Sequence, residues 1–356
     1  MESGESARGI HYTDSLAPLA EGDEVIVNST AVELKLGTGG VHFVYGLVDG
    51  ACVVDQGKEY NSVENVLQGH LMKLRYTPLQ RAALSAEEEA SPFHRLFLGR
   101  PTLEGMPVLI GDVHSMLPVA VAWLRHVEKA QTVVPLRLAY IMSDGGALPL
   151  AFSRHAAELK RRGKLQGTVT YGHAYGGDLE TVNKFTALLA ARHALHADIA
   201  IAAMGPGIAG TGTPLGHSGI EVGELVNAVA ALGGAPVVMP RVSFAEKRER
   251  HRGVSHHTLG ALATAAFAKA QLPLPAELAP DARALIERQL RQYGIAAKHE
   301  VLWQSEPTLT EVAECMEGEP FPITTMGRSF RDDPCFFQAV CVAAQAAWNA
   351  LRHSSV

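Results

Sequence analysis

The chain has 356 residues, of which 47% are hydrophobic and 19% charged, and it carries a formal charge of −6. This is the composition of an ordinary globular protein, and the acidic balance excludes a chain-wide footprint for nucleic acid or an anionic membrane. No apolar run is long enough to span a bilayer and the polar start lacks the regions of a secretory signal, so a cytoplasmic protein is expected, with neither membrane nor nucleic acid as a partner. Self-association into a homo-oligomer is left open.

Residues 23–80 read as short β-like runs between turns (DEVIVNSTAV, VHFVYGLV, GACVVDQGKEY, HLMKLRYTPLQ), which predicts a small β domain over residues 1–80, a barrel or an antiparallel sheet. Residues 81–105 read as a charged helix and a connector carrying Pro92 and Pro101. From 106 to 356 apolar strands alternate with amphipathic helices. Seven strands are expected, at MPVLIG, LRLAYIMS, GTVTY, ADIAIAAM, APVVMP, KHEVLWQS and PFPITTMG. The alternation predicts an α/β domain with a doubly wound, mostly parallel sheet and the ligand site; closure into an eight-fold barrel is the alternative. The four cysteines, Cys52, Cys315, Cys335 and Cys341, are scattered without a CxxC pair, which argues for buried thiols.

In such a sheet ligands bind beyond the C-terminal ends of the strands. The six loops there, 111–115, 143–149, 172–178, 205–219, 241–258 and 326–333, total about 60 residues and hold six of the 16 histidines, roughly twice an even scattering. They are His114, His173, His217, His251, His256 and His257.

The loop MGPGIAGTGTPLGHSG, between an apolar strand and an amphipathic helix, has the layout of an anion site, with Gly205, Gly207, Gly210, Thr211, Gly212 and Thr213 as its expected contacts. Its glycines spell GxGxxG, but Pro214 keeps the helix from starting inside the motif and Arg241 stands where a ribose-binding acid is needed, so a dinucleotide fold is disfavoured. Ser218 and Glu221 fit a capping box, which leaves His217 facing outward. In GHAYGGDLE, Asp178 reads as a helix N-cap and Glu180 as a first-turn acid, with His173 as a proton-transfer candidate.

Asp112 and His114, two apart at a strand end, share a face on regular β-structure and offer a metal pair, with Asp144, His173 and Asp178 as further ligands. The companion elements of metallophosphoesterases, GDxxDR and GNH, are absent. The segment 241–258 reads as a lid whose Arg241, Arg250 and Arg252 clamp an anion, joined by Arg328 from another strand end. His173, His217 and His257 are the acid/base candidates, and Ser115 beside His114 is a nucleophile candidate, weakened because adjacent residues seldom face each other.

Taken together, GDEVIVNSTAVELKLGTGGVHFV, GHLMKLRYTPLQ, SDGGALP, GHAYGGDLE, MGPGIAGTGTPLG and RERHRGVSHHT resemble an uncharacterised bacterial domain-of-unknown-function family over about residues 20–330. The resemblance implies no activity and no catalytic residue. Members of that family carry a segment closer to Gly-Ser-Leu-His-Ser at 111–115, so His114 and Ser115 match it while Asp112 departs, which weighs against a metal role for Asp112; Gly37 to Gly40 also match. The expectation is an enzyme acting on a small anionic, phosphorylated or carboxylated, metabolite. The alternatives are a divalent-metal-dependent hydrolase, a nucleotide or dinucleotide binder, and a non-enzymatic sensor or assembly protein.

Overall fold

The computed structural model describes residues 6–13, 16, 18–34, 40–48, 69–77, 79–131, 135–143 and 145–353; Cys52, Asp144, Gly37–Gly39 and the GACVVDQGKEY run lie outside them. The chain divides into two compact units, residues 1–67 with 76–80, and residues 68–75 with 81–356. In the first, β1 (Arg8–Ile10), β2 (Val25–Asn28) and β3 (Val41–Leu47) form a sheet in which β3 lies parallel to β1 and antiparallel to β2. In the second, β4 (Leu71–Lys73) and β5 (Arg81–Ala83) form an antiparallel pair, so the HLMKLR run goes with the larger unit. The acidic run expected as a helix forms turns instead. Glu87 accepts the Val182 amide and Glu88 the Ser85 amide, so these carboxylates tie down backbone and do not line a solvated helix face.

The larger unit is built on eight parallel strands: β6 (Pro107–Gly111), β7 (Leu138–Ser143), β8 (Gly167–Tyr171), β9 (Leu179–Thr181), β10 (Ile199–Met204), β11 (Ala235–Val238), β14 (Gln271–Pro275) and β15 (Glu300–Gln304). A two-stranded antiparallel pair, β12 (Val242–Ser243) and β13 (Gly253–Val254), stands apart from it. The strand order is β15-β14-β11-β6-β10-β7-β8-β9, an open sheet with β15 and β9 as edges. The small N-terminal sheet and this doubly wound α/β sheet match the expected fold class; the barrel is ruled out.

Successive side chains of a strand point to opposite faces, and the buried residues sort accordingly. Val108 and Ile110 of β6 enter a core with Leu188, Val226, Leu259 and Ile286, from the helices on one face. Leu109 enters a second core with Val119 and Leu124 of helix Met116–Gln131 and with Phe337 and Val340 of helix Pro334–His353 on the other face. Gly223, in helix Glu221–Ala231, is what lets two helices of the first face touch: a Cβ there would fall 2.6 Å from the Ala261 carbonyl oxygen.

Two strands escape the sequence pattern and one expected strand is absent. In β14, Pro273 and Pro275 remove donors at alternate positions; five residues pair with β15 but only Gln271 pairs with β11, so the sheet tolerates the missing donors on that side. β9 hides behind acids that mimic a helix start. Residues 320–327 form no strand, only an isolated bridge between Thr325 and Arg328.

The connection leaving β6 runs toward β7, whereas the one leaving β11 runs toward β14, in the opposite direction. The connections of these neighbours therefore diverge at a topological switch point, the place where open α/β sheets hold ligands. β10, on the other side of β6, sends its glycine loop to the same place.

Candidate functional site

Asp112 lies one step beyond β6 and keeps the parity of Val108 and Ile110, which sends its carboxylate to the face carrying helix His256–Gly260. There Oδ2 stands 3.7 Å from Nδ1 of His257. Asp112 is 1% exposed, and neither carboxylate oxygen has a hydrogen-bond partner. His257 arrives because Ser255 caps its short helix, the hydroxyl accepting the His257 amide and also meeting Nδ1 of His251 at 2.8 Å. From the β10 loop, His217 stacks on His257, ring centroids 3.9 Å apart and planes 7° from parallel. His256 lies 4.4 Å from the His257 ring, and His251 lies 4.9 Å from both.

Three glycines leave space for these rings. A Cβ on Gly219 would lie 3.2 Å from that of Asp112 and 3.3 Å from Nδ1 of His217; one on Gly210 would lie 3.4 Å from Nε2 of His257. One on Gly260 would lie 3.2 Å from the Pro214 carbonyl oxygen.

Arg241, just past β11, completes the group. It is buried, its Nη2 has no hydrogen-bond partner, and its nearest carboxylate, Glu246, is 4.0 Å away. Burial opposes the charge on Asp112, but His257 and the Arg241 guanidinium together hold its carboxyl below the usual carboxylate range. Burial and the neighbouring imidazole of His257 lower His217. Burial, with His257 next, pushes His256 down to about 4; burial and the Arg241 charge push His251 down to about 3. These three rings are therefore neutral near pH 7, with lone pairs available to an acid or an ion.

Residues 8–344 match the family model described as a protein of unknown function, DUF3866. The chain belongs to this family. No curated protein and no solved structure is detectably similar to it. DUF3866 carries no assigned activity, so the chemistry of this member rests on its own residues.

The structure distributes the sequence-selected residues of this DUF3866 chain among three places. Asp112, His217, His257 and Arg241 converge at the switch point. His114 does not join Asp112, because β6 ends at Gly111 and the turn that follows carries His114 away from the strand alternation. Its Nδ1 meets the Met204 carbonyl at 3.2 Å and its Nε2 the Ser153 hydroxyl at 2.8 Å, while Ser115 donates to Thr325 and makes no pair with His114. His173 follows β8, three places from β6 in the sheet or about 14 Å, and its Nδ1 accepts the Leu74 amide. Asp178 is no helix cap: it accepts from the Thr168 amide and hydroxyl and pairs with Lys160, while Asn183 caps the helix. Among the described residues, Asp112, His114, His173 and Asp178 form no ligand group of three.

The glycine loop closes on itself. Thr211 N and Oγ1 both donate to the Gly216 carbonyl, Gly216 N donates to Thr213 Oγ1, and Ser218 N donates to the Ala209 carbonyl. Gly205 is buried at the end of this lobe, while Gly207 and Gly212 take φ of +105° and +79°, the left-handed values that favour glycine. The capping box does not form: Ser218 turns to Ala209 and Glu221 accepts from the Tyr171 hydroxyl. His217 is buried, 6% exposed, rather than outward. Of the other expected clamp residues, Arg328 pairs with Asp333 and with Glu246, which also holds Arg248, while Arg250 and Arg252 are exposed.

His256 and His251 were counted among the strand-end histidines but given no site role from sequence, and Glu246 was given none either. The His256–His257 doublet directly after a capping serine was the available signal for the first. Glu246 pairs with Arg248 two positions on and with Arg328, 82 positions away, and only the first pairing is local.

Proposed function

We propose that this protein is an enzyme that binds a small anionic metabolite at the switch point beyond β6, β10 and β11. Arg241 holds the anion and the neighbouring imidazoles carry the chemistry. The supporting observation is that buried polar atoms from three separate connections, Asp112 Oδ1 and Oδ2, His217 Nδ1, His257 Nδ1 and Arg241 Nη2, meet at a topological switch point without hydrogen-bond partners. A buried polar group left unpaired costs about 1–3 kcal/mol, so a fold that concentrates several in one place does so where a ligand completes them.

The test is thermal stabilisation by inorganic phosphate, pyrophosphate and small dicarboxylates. A ligand at 100 times its Kd stabilises the folded state by about 2.7 kcal/mol. The wild type is expected to be stabilised by at least one of these anions and the Arg241→Met variant by none. Equal stabilisation of the two proteins, or none of the wild type, refutes the reading.

A further inference from the structure

We propose that His217, His256 and His257 bind one divalent transition-metal ion of the zinc class, with Asp112 orienting His257 from behind. This deepens the preceding proposal and rests on its reading of the switch point as the ligand site. The three residues each offer a ring nitrogen, and these lie within 4.8 Å of one another, the one such group of His, Cys, Asp or Glu among the described residues.

The tautomers follow from the surroundings. Nε2 of His217 lies 3.2 Å from the Pro214 carbonyl, which can only accept, so Nε2 carries the proton and Nδ1 presents a lone pair. Nδ1 of His257 faces the Asp112 carboxylate, which favours the proton on Nδ1 and the lone pair on Nε2. That is the carboxylate–histidine–metal relation by which an outer carboxylate fixes a ligand's orientation. Nε2 of His256 has no hydrogen-bond partner. His251 lies outside the group, because only His217, His256 and His257 bring ring nitrogens within 4.8 Å of one another.

Three lone pairs brought together satisfy nothing in one another, whereas a cation satisfies all three. Nitrogen donors without thiolates or an oxygen cage select zinc-class ions over magnesium or calcium. Bonds of about 2.1 Å in tetrahedral geometry put ligand nitrogens roughly 3.4 Å apart, so the rings must close in slightly and the His217–His257 stack must open. Gly210, Gly219 and Gly260 put no side chain against this group, where a Cβ would lie 3.2–3.4 Å from its atoms or from the Pro214 carbonyl oxygen. Three protein ligands leave a fourth position for water or substrate, and the unpartnered Nη2 of Arg241 stands by to hold an anionic group.

Full-length protein, stripped with chelator and shown folded by circular dichroism, is titrated with Zn2+ against a chromophoric chelator. One ion per chain is expected, weakened about 100-fold or more in His256→Gln and His257→Gln, about 10-fold in Asp112→Asn, and unchanged in Asp178→Asn. Should a histidine variant fail to fold, Co2+ added to the wild type decides: an intense visible spectrum of a low-coordinate nitrogen site supports the proposal, and the pale spectrum of the hydrated ion overturns it. Folded wild type that binds no Zn2+, or variants that bind it undiminished, also overturn it. Phosphate stabilisation that depends on Arg241 in a protein without Zn2+ affinity removes the metal site and leaves the enzyme reading standing; Zn2+ binding without any effect of Arg241 on anions does the reverse.

Discussion

His114 and His257 stand on the same rim of the same sheet, yet their surroundings are opposite. Both ring nitrogens of His114 have partners, the Met204 carbonyl and the Ser153 hydroxyl, and that hydroxyl in turn caps a helix by accepting the Ala156 amide. Around His257 the nearest polar groups are other imidazoles and a carboxylate without hydrogen bonds of its own. One histidine belongs to a closed network that holds the turn after β6 to the end of β10. The other belongs to an open one. Counting histidines at strand ends therefore does not separate rings held in a closed network from rings in an open one, whereas following each nitrogen to its partner does.

The largest expected effect tests that contrast directly. His114→Ala removes a packed ring and leaves the Ser153 hydroxyl and Met204 carbonyl short of a partner, at a cost of about 3 kcal/mol in urea unfolding, while Zn2+ affinity stays as in the wild type. His256→Ala removes a half-buried ring whose Nε2 bonds to nothing and costs less than about 1 kcal/mol, yet loses the ion. Equal destabilisation by the two substitutions would erase the distinction between the networks.

A smaller effect appears with pH. Burial, reinforced by His155, lowers His114 to about 4, whereas an unfolded histidine titrates near 6.5. The unfolded chain therefore binds this proton first as pH falls, and the folded state loses stability through the window from about 6.5 to 4, by an amount on the order of 2 kcal/mol. Above that window the contribution is fully present. Urea midpoints at pH 7 and pH 4.5 should fall less in His114→Gln than in the wild type. Matching losses in the two proteins would show that the closed network does not keep His114 neutral.

The sequence made the sheet legible where strands were apolar and free of proline. ADIAIAAM became β10 with all six residues from Ile199 to Met204 buried, and the loops richest in glycine, histidine and arginine fell beyond strand ends. It could not show β14, because prolines at 273 and 275 read as loop until β15 supplies the other side of the ladder. Within the site, Asp112, His217, His257 and Arg241 were visible as residue types in the right connections. Their grouping was not, since strand order decides which connections meet, and β10 pairs with β6 although β7, β8 and β9 separate the two along the chain. The reading of Asp112 with His114 failed for a local reason: β6 ends at Gly111, Asp112 one step on still keeps the strand's parity, and the turn that follows carries His114 out of it.

Asp178 carries the smallest effect and sharpens the comparison at its far end. Its carboxylate accepts two bonds from Thr168, each 2.9 Å, and pairs with the half-exposed Lys160. Asparagine keeps an oxygen for the Thr168 amide but loses the ion pair, and exposed ion pairs contribute little, so Asp178→Asn should cost about 1 kcal/mol in urea unfolding. Because Asp178 follows β8 and its oxygens are already filled by protein donors, the same variant should bind Zn2+ as tightly as the wild type. A loss of ion affinity there would mean that completed hydrogen bonds do not mark a residue as structural, and the division between His114 and His257 would lose its basis.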